Sequence, residues 1–449
     1  MFRDVRLRVR GMIRRVLRLA PMRLVPLGYL SYVLLGWGVL MLPVCAATDR
    51  ASALDHLFIS ASAVSTTGLT TVSTRDDYTF AGQIVIVVLI QLGGLGYMTV
   101  SSFFVLSVSG RLSPERERVA ATALSLPPGF DVRAFLKLIV AFTLLVEAGG
   151  AAALLPVFQR HGAPDPAWQA VFHSVSAFCT AGFGLFNDSF ESYRSDGWLN
   201  AIIMALSYLG AIGFIVVNDV WQSLRRRKAT LTLTSKIILA GTFWVSVVGT
   251  VLFALDEPGV RGLPVGERWL ASWFQVMSAS TTVGFNTLPI GGVSAASVYL
   301  LTIVMIIGAS PAGTGGGLKT TTFSAMWAVM MSVIRGRERT TFFGREIPPV
   351  RLRAAAANVM LYGAALALGI YGLSLVETAP LPDQMFECAS ALGTVGLSRG
   401  ITASLTSAGK GILIALMIIG RIGPLAVGAA MFHAPAVSER DAAPEDVTI

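Results

Sequence analysis

The sequence predicts an all-α polytopic membrane protein in which four similar units surround one axis. Three observations predict this fold class. The 449 residues are 54% hydrophobic and only 14% charged, whereas a soluble domain of this length needs far more charge on its surface. Apolar runs of roughly 18–25 residues recur along the chain, and each is long enough to span a bilayer. A short polar run of the form Thr-x-Gly-apolar also occurs four times.

The four polar runs keep a regular spacing, which indicates an internal repeat. Their glycines are 114, 102 and 112 residues apart, and a second glycine follows each of them after 25, 28, 24 and 24 residues. The runs are "AVSTTGLTTV" at 63–72, "AFCTAGFGLF" at 177–186, "SASTTVGFNT" at 278–287 and "SALGTVGLSR" at 390–399.

Each polar run lies inside a larger unit. A long apolar run comes first, then an amphipathic stretch of about 10–13 residues, which is too short to span a membrane. The Thr-x-Gly loop and a second apolar run complete the unit. This pattern predicts the following segments: 1–26, a basic cytosolic segment; repeat 1 at 27–110; repeat 2 at 134–222; repeat 3 at 233–334; repeat 4 at 354–434; and a cytosolic tail at 435–449.

The net charge of +9 is distributed as in a membrane protein. Most Lys and Arg residues fall in 1–26, 111–137, 225–236 and 335–353, while the intervening connections hold most of the acids. This is the positive-inside pattern, and it argues against nucleic-acid binding. It places the basic side and both termini in the cytosol, and the chain in the cytoplasmic membrane. Eight spanning helices then leave four short helices that enter and return from the outer side as re-entrant segments.

Side chains typical of catalytic or metal sites do not cluster. The four histidines are scattered, and no catalytic constellation is present, so the sequence predicts no enzyme and no organic cofactor. An odd number of cysteines without a CxxC pair argues against a disulfide framework. The cysteines are Cys45, Cys179 and Cys388.

Four converging loops are suited to a central pore. A dehydrated cation needs a ring of oxygens, which backbone carbonyls can supply, and glycine permits the backbone conformations that align them. The short helices would direct their negative dipole ends toward the ion. Acidic outer residues would gather cations at the mouth: Asp76, Asp77, Asp188 and Glu191. The alternative is that the loops are only turns that pack helices.

Three stretches, "TTGLTTVSTRDDYTFAGQ", "ASPAGTGGGLKTTT" and "IIGRIGPL", resemble the Trk/Ktr/HKT superfamily of potassium transporters, and most closely the membrane subunits of Ktr systems. The resemblance covers about residues 25–433. It implies a potassium filter in which glycine at all four positions favours K⁺ over Na⁺. The residues are Thr66, Thr67, Gly68, Thr180, Ala181, Gly182, Thr282, Val283, Gly284, Thr394, Val395 and Gly396.

Two residues depart from the pattern that the family leads us to expect. Thr180 stands where we expect Asn, and Arg399 follows the fourth loop, where a cation beside a cation pore is unusual. Arg399 would either pair with an outer acid or weaken cation entry. Both departures concern transport rate more than the identity of the ion.

The second apolar run of repeat 3 is interrupted by "GASPAGTGGGLKTTT" at 308–322, through which a helix cannot continue. A phosphate-binding loop would need glycine where Leu318 stands. The resemblance implies an intramembrane loop that obstructs and gates the pore, and a simple packing kink is the alternative. The predicted gate residues are Gly308, Pro311, Gly313, Gly315, Gly316, Gly317 and Lys319.

Arg421 lies in an otherwise apolar run, where a charge usually faces a cavity or a partner. We assign it to the gate, where it would stabilise the closed state by repelling cations or by hydrogen bonding to loop carbonyls. The alternative is that it only satisfies backbone groups near Gly423 and Pro424. Lys319 would lie at this depth or be solvated at the cytosolic end, and Glu147 has no predicted partner.

The longest cytosolic connections are only about 20–30 residues, so no soluble domain is predicted. The resemblance implies a homodimer docked on a cytosolic ring of nucleotide-binding regulatory subunits of the KtrA/TrkA type, with K⁺ as the transported ion and Na⁺ as a candidate activator. The basic connections would form the docking face, although ordinary topology also explains their charge. A sodium-preferring relative and an alternating-access solute transporter remain alternative functions.

Overall fold

A computed structural model describes residues 21–96, 131–226 and 231–432, with isolated positions 99, 102 and 106. Segment 1–20, most of the basic connection 111–137 and the tail 435–449 lie outside the described residues, and so do the predictions made for them. The described chain is mostly helical, as predicted. One small departure is an antiparallel pair of two-residue strands, β1 (Thr341–Phe342) and β2 (Arg345–Glu346), in the connection 335–353.

The helices follow the predicted order of long helix, short helix, loop and second helix. Repeat 1 contains α1 (Pro21–Leu40), α2 (Ala53–Ser65) and α3 (Phe80–Leu95), and repeat 2 contains α4 (Val132–Arg160), α5 (Pro166–Phe178), α6 (Gly197–Ala211) and α7 (Phe214–Arg226). Repeat 3 contains α8 (Leu233–Asp256), α9 (Pro258–Arg261), α10 (Val265–Thr281), α11 (Ala295–Ile307) and α12 (Thr320–Ile334). Repeat 4 contains α13 (Pro349–Val376), α14 (Leu381–Gly393), α15 (Ser407–Ile422) and α16 (Pro424–Phe432).

The second helices of repeats 2 and 4 differ from the sequence prediction, which treats them as continuous. The angle between α6 and α7 is 91°, and that between α15 and α16 is 94°. Gly213 and Gly423, at the two bends, both have φ of 92°, a backbone conformation that only glycine adopts readily. The second helix is therefore interrupted in repeats 2, 3 and 4.

Within the described ranges, α4, α8 and α13 are each long and apolar enough to cross a membrane. The number of candidate membrane spans rises from three to five if the bent pairs α6–α7 and α15–α16 are each counted as one span. Several shorter apolar helices accompany them, including α3, α11 and α12. Eight spans thus remain a prediction.

Burial in this protein follows the pattern of a membrane protein. Large apolar side chains face outward, such as Leu35, Leu145 and Leu368, whose exposed fractions are 66%, 73% and 70%. The interior holds polar groups, including the four threonines of the Thr-x-Gly runs, which are fully buried. An apolar exterior of this extent needs a nonaqueous surrounding, and irregular backbone is tolerated at membrane depth where protein encloses it.

Polar contacts join neighbouring repeats through side chains at the starts of helices and in the connections. The Lys410 ammonium pairs with the Asp55 carboxylate at 2.7 Å and thereby joins repeat 4 to repeat 1. The other contacts join repeats 1 and 2, 2 and 3, and 3 and 4 in turn. They are Trp168 Nε1 to Gln83 Oε1, Arg194 Nε to Glu267 Oε1, and Arg399 to the Ile290 carbonyl.

Glycines bring the second helix of three repeats against the end of its short helix. A Cβ at Gly93, Gly210 or Gly420 would overlap a carbonyl oxygen, of Val64, Phe178 or Leu392 respectively. Each carbonyl belongs to the residue four before the glycine of its Thr-x-Gly run. Because these residues are equivalent in the repeat, the three units pack in the same way, whereas Gly308 in repeat 3 contacts Gly316 and Gly317 instead.

Gly420→Ala is expected to lower the unfolding free energy by about 2 kcal/mol, because the new methyl group must push α15 away from α14. Thermal unfolding of the purified protein in detergent would measure the effect. Gly411→Ala in the same helix is the matched control, since no atom lies within 4 Å of its added Cβ. Equal melting temperatures for the two variants would contradict this packing.

Candidate functional site

The four short helices α2, α5, α10 and α14 each lead into a threonine with left-handed backbone. The φ values of Thr66, Thr180, Thr282 and Thr394 are 53°, 50°, 61° and 48°. Residues other than glycine rarely adopt this conformation, and it costs on the order of 1 kcal/mol or more. The same strained turn at four equivalent positions marks these residues as a functional constellation.

The four Thr-x-Gly loops (66–68, 180–182, 282–284 and 394–396) form a closed ring. The glycine of each loop has φ between 66° and 97°, and it lies against a backbone carbonyl of the next loop. A side chain on the glycine would collide with that oxygen. The contacts are Gly68 with Ala181, Gly182 with Val283, Gly284 with Val395, and Gly396 with Thr67.

One backbone hydrogen bond recurs in every loop. The N–H of the residue before the glycine donates to a serine carbonyl in the preceding helix, at 2.8–3.1 Å. In loops 1 and 4 the serine hydroxyl also accepts from the glycine N–H at 3.0 Å. The serines are Ser62, Ser176, Ser278 and Ser390.

Sequence reasoning missed these serines, although a signal was available. Each is followed by alanine and preceded, four residues earlier, by a fully buried phenylalanine, so that the unit F-x-x-x-S-A-x-x-T-x-G occurs four times. Alignment on this longer unit finds both the serine and the phenylalanine. The phenylalanines are Phe58, Phe172, Phe274 and Phe386.

The interruption in repeat 3 is a folded loop, Gly308 to Lys319, since α12 already begins at Thr320. The loop closes on itself through Ala309 N–H to the Gly316 carbonyl at 3.0 Å. It also bonds to the bend of repeat 2, where Thr314 N–H donates to Gly210 and Phe214 N–H donates to Ala312. Gly213 lies against the Pro311 carbonyl, and Gly313 against that of Gly210.

This loop contacts the threonine of each Thr-x-Gly loop. Thr180 Oγ1 lies 3.3 Å from Thr314 Oγ1, and Gly316 N–H donates to Thr282 Oγ1 at 2.9 Å. Thr66 Oγ1 lies 3.4 Å from the Thr314 carbonyl, and Thr394 Oγ1 is beside Gly316, with no room for a side chain between them. The loop therefore lies directly beneath the ring, on the side of the threonines.

Arg421 connects this loop to repeat 1. Its guanidinium donates to the Thr314 carbonyl, to Thr66 Oγ1 at 3.0 Å and to the carbonyls of Gly93 and Gly94. Within the described ranges no carboxylate forms an ion pair with it. Its charge is thus balanced by hydroxyl and carbonyl dipoles, among them a carbonyl of the loop.

Lys319 and Glu147 are two further charged residues near the loop and the Thr-x-Gly ring. The Lys319 ammonium donates to the Gly315 carbonyl at 2.5 Å and is half-buried, so that it belongs to the loop. The Glu147 carboxylate accepts from the Cys179 thiol at 3.6 Å, next to Thr180. Its partner could not be predicted because Cys179 directly follows α5, and α4 and α5 meet only in the folded chain.

Arg399 pairs with an acid, Asp383, on the side that was predicted to be outer, and such a pair is one of the two outcomes considered for it. Its guanidinium donates to the Asp383 carboxylate and to the Ile290 carbonyl. Asp76 and Asp188 are exposed in connections that were predicted to be outer, and a hydrogen bond from Asn187 lowers the pKa of Asp76. Asp77 instead is buried and accepts from Thr48 Oγ1 at 2.7 Å.

A mostly helical membrane protein, in which four short helices lead into a closed ring of loops, is the class that this geometry defines. Comparison with known proteins is consistent with that class. The chain belongs to the family described as TrkH, cation transport protein, which it matches over residues 40–438. The predicted resemblance is confirmed.

Two relatives and one solved structure illustrate the match. Ktr system potassium uptake protein B of Vibrio alginolyticus is 37% identical over 412 residues, which cover 90% of this chain and 89% of the relative. Potassium/sodium uptake protein NtpJ of Enterococcus hirae is 34% identical, with 91% and 92% covered. The crystal structure of TrkH from Vibrio parahaemolyticus shares the fold, with a TM-score of 0.69 at 22% identity over 89% of this chain and 83% of that one.

Proposed function

We propose that this chain takes up potassium across the cytoplasmic membrane through a central pore. The four Thr-x-Gly loops form its selectivity filter, and the loop 308–319 is its gate. The observation that carries the proposal is the closed ring, in which each glycine lies against the carbonyl of the next loop. Such a ring is suited to replace the hydration shell of a cation with backbone oxygens.

The names of the relatives support potassium as the ion, since two Ktr system potassium uptake proteins B are 36–37% identical to this chain. The position of loop 308–319 supports its role as gate, because an ion leaving the ring on the threonine side meets this loop first. Moving it would require the hydrogen bonds to Thr66, Thr180, Thr282 and Arg421 to break.

Cation flux into proteoliposomes containing the purified chain tests the proposal. Potassium, rubidium and sodium should be compared under the same driving force. We expect potassium and rubidium to enter at least about tenfold faster than sodium, which corresponds to about 1.4 kcal/mol of discrimination. If no cation flux appears even after a KtrA/TrkA-type regulatory subunit is added, the proposal of a central pore would be wrong.

A sodium-preferring transporter is the second candidate function, and the relative named as a potassium/sodium uptake protein favours it. Glycine at all four filter positions favours potassium instead. Equal passage of sodium and potassium in the same proteoliposomes would select this candidate. Stimulation of potassium flux by added sodium would instead assign sodium the role of an activator.

For partners, we propose a homodimer that docks on a cytosolic ring of KtrA/TrkA-type regulatory subunits. The relatives named as components of a Ktr system support a multi-component assembly. The connection 335–353 supplies exposed arginines for docking, among them Arg337, Arg345 and Arg351. Size-exclusion chromatography of the purified chain, with and without a KtrA-type subunit, tests both the homodimer and its binding to the regulatory ring.

A further inference from the structure

The four short helices carry different side chains at the ninth position before each filter glycine. We call this the brace position, and it is fully buried in the repeats where its side chain is polar. Its residues are Ile59, His173, Gln275 and Glu387. The variation is notable because the phenylalanine directly before this position is the same in all four repeats.

In repeat 4 the brace side chain holds the chain just beyond the filter loop. Glu387 Oε1 accepts from the Arg399 backbone N–H at 3.1 Å and from the Ser398 hydroxyl, and its Oε2 accepts from Thr402 Oγ1 at 2.9 Å. Arg399 is the third residue after Gly396. The carboxylate therefore connects the middle of α14 to the outer end of the fourth loop.

In repeat 2 a different side chain makes the equivalent bond. His173 Nε2 accepts from the Leu185 backbone N–H at 3.2 Å, and Leu185 is the third residue after Gly182. The Nδ1 atom lies 2.8 Å from the Gln169 carbonyl and must carry the proton, since a carbonyl only accepts. The ring is stacked on Phe186 with centroids 5.0 Å apart, which fixes its orientation.

Repeats 1 and 3 lack this bond among the described residues. Ile59 has no polar atom, and both amide atoms of Gln275 are buried without a hydrogen-bond partner. The order of the ring places repeats 2 and 4 opposite each other. Bracing is therefore present in two diagonal loops and absent in the two between them.

We propose that Glu387 and His173 are positioning residues that fix the outer ends of two opposite filter loops and thereby set the discrimination of the pore between potassium and sodium. This inference rests on the proposed filter. Without the brace, the outer carbonyls of a loop could close around the smaller sodium ion. Neither side chain belongs to a Thr-x-Gly loop, so each acts through the bonds that it makes beyond the loop. His173 holds one backbone N–H, and Glu387 holds a backbone N–H and the hydroxyls of Ser398 and Thr402.

The test compares rubidium with sodium flux in proteoliposomes of the full chain, for variants that remove or keep the acceptor atom. Glu387→Met and His173→Phe keep the side chain's approximate size but provide no oxygen or nitrogen acceptor. We expect each to lower the rubidium-to-sodium ratio about tenfold or more, since His173→Phe loses one buried hydrogen bond to the loop and Glu387→Met loses three. Glu387→Gln and His173→Gln keep an acceptor and should retain at least half of the wild-type ratio.

Gln275→Met is the matched control, because Gln275 occupies the brace position of repeat 3 but makes no hydrogen bond to its loop. Its rubidium-to-sodium ratio should stay at the wild-type value. If Glu387→Met and His173→Phe both keep the wild-type ratio, the positioning role of these residues would be refuted, whereas the proposed filter would not be affected. If one of these variants does not fold, as judged by size-exclusion chromatography, the other decides. A wild-type chain that does not discriminate would instead refute the proposed potassium filter itself.

Discussion

Gly284→Ser is expected to reduce the potassium-to-sodium flux ratio by about tenfold or more. Gly284 has φ of 81° and lies against the Val395 carbonyl oxygen, while the Cα atom of Gly396 is 3.0 Å from the position of an added Cβ. A serine side chain there must push loops 3 and 4 apart. It must also adopt a backbone conformation that L-residues avoid, so the spacing of the ring oxygens changes.

The measurement is the ratio of rubidium to sodium flux under one driving force. Gly266→Ser, at the start of the short helix of the same repeat, is the control, since no atom lies within 4 Å of its added Cβ. We expect the control to keep the wild-type ratio. A Gly284→Ser protein that folds and discriminates as well as the control would mean that the ring does not select the ion.

The position of the ring could be predicted from the sequence because its signal is local. A Thr-x-Gly run at matched spacing requires only nearby residues to form its turn, and its four copies indicate one repeated structure. The interruption in repeat 3 was equally predictable, because Pro311 and the glycines around it cannot continue a helix. Both predictions depend on backbone preferences of the residues themselves.

The contacts between repeats could not be predicted in the same way. The order of the ring and the contacts of loop 308–319 with the four threonines join residues more than 30 positions apart, and no local preference encodes them. The bend after Ile422 could have been predicted, because Gly423 followed by Pro424 interrupts a helix. It was missed because the residues around this pair are apolar and were interpreted as one continuous helix. The role of the polar side chains at the brace position could be inferred only after the structure showed which backbone N–H groups they bind.

Arg421→Ala is expected to raise potassium flux about tenfold or more, because the loop 308–319 loses its connection to repeat 1. The guanidinium donates to the Thr314 carbonyl and at the same time to Thr66 and to the Gly93 and Gly94 carbonyls. Hydrogen bonds from a charged donor contribute about 1.5–3 kcal/mol each. Their loss should favour the open loop and also remove a positive charge from the path of the cation.

Arg421→Lys separates these two effects, since lysine keeps the charge but cannot reproduce the planar fork of donors. If the hydrogen bonds hold the loop closed, the lysine variant should conduct nearly as fast as the alanine variant. If repulsion of the cation dominates, its flux should stay near that of the wild type. Arg160→Ala is the control for removal of one arginine, since Arg160 is exposed and lies outside the proposed docking connections. Unchanged flux in a folded Arg421→Ala protein would contradict a gating role for this residue.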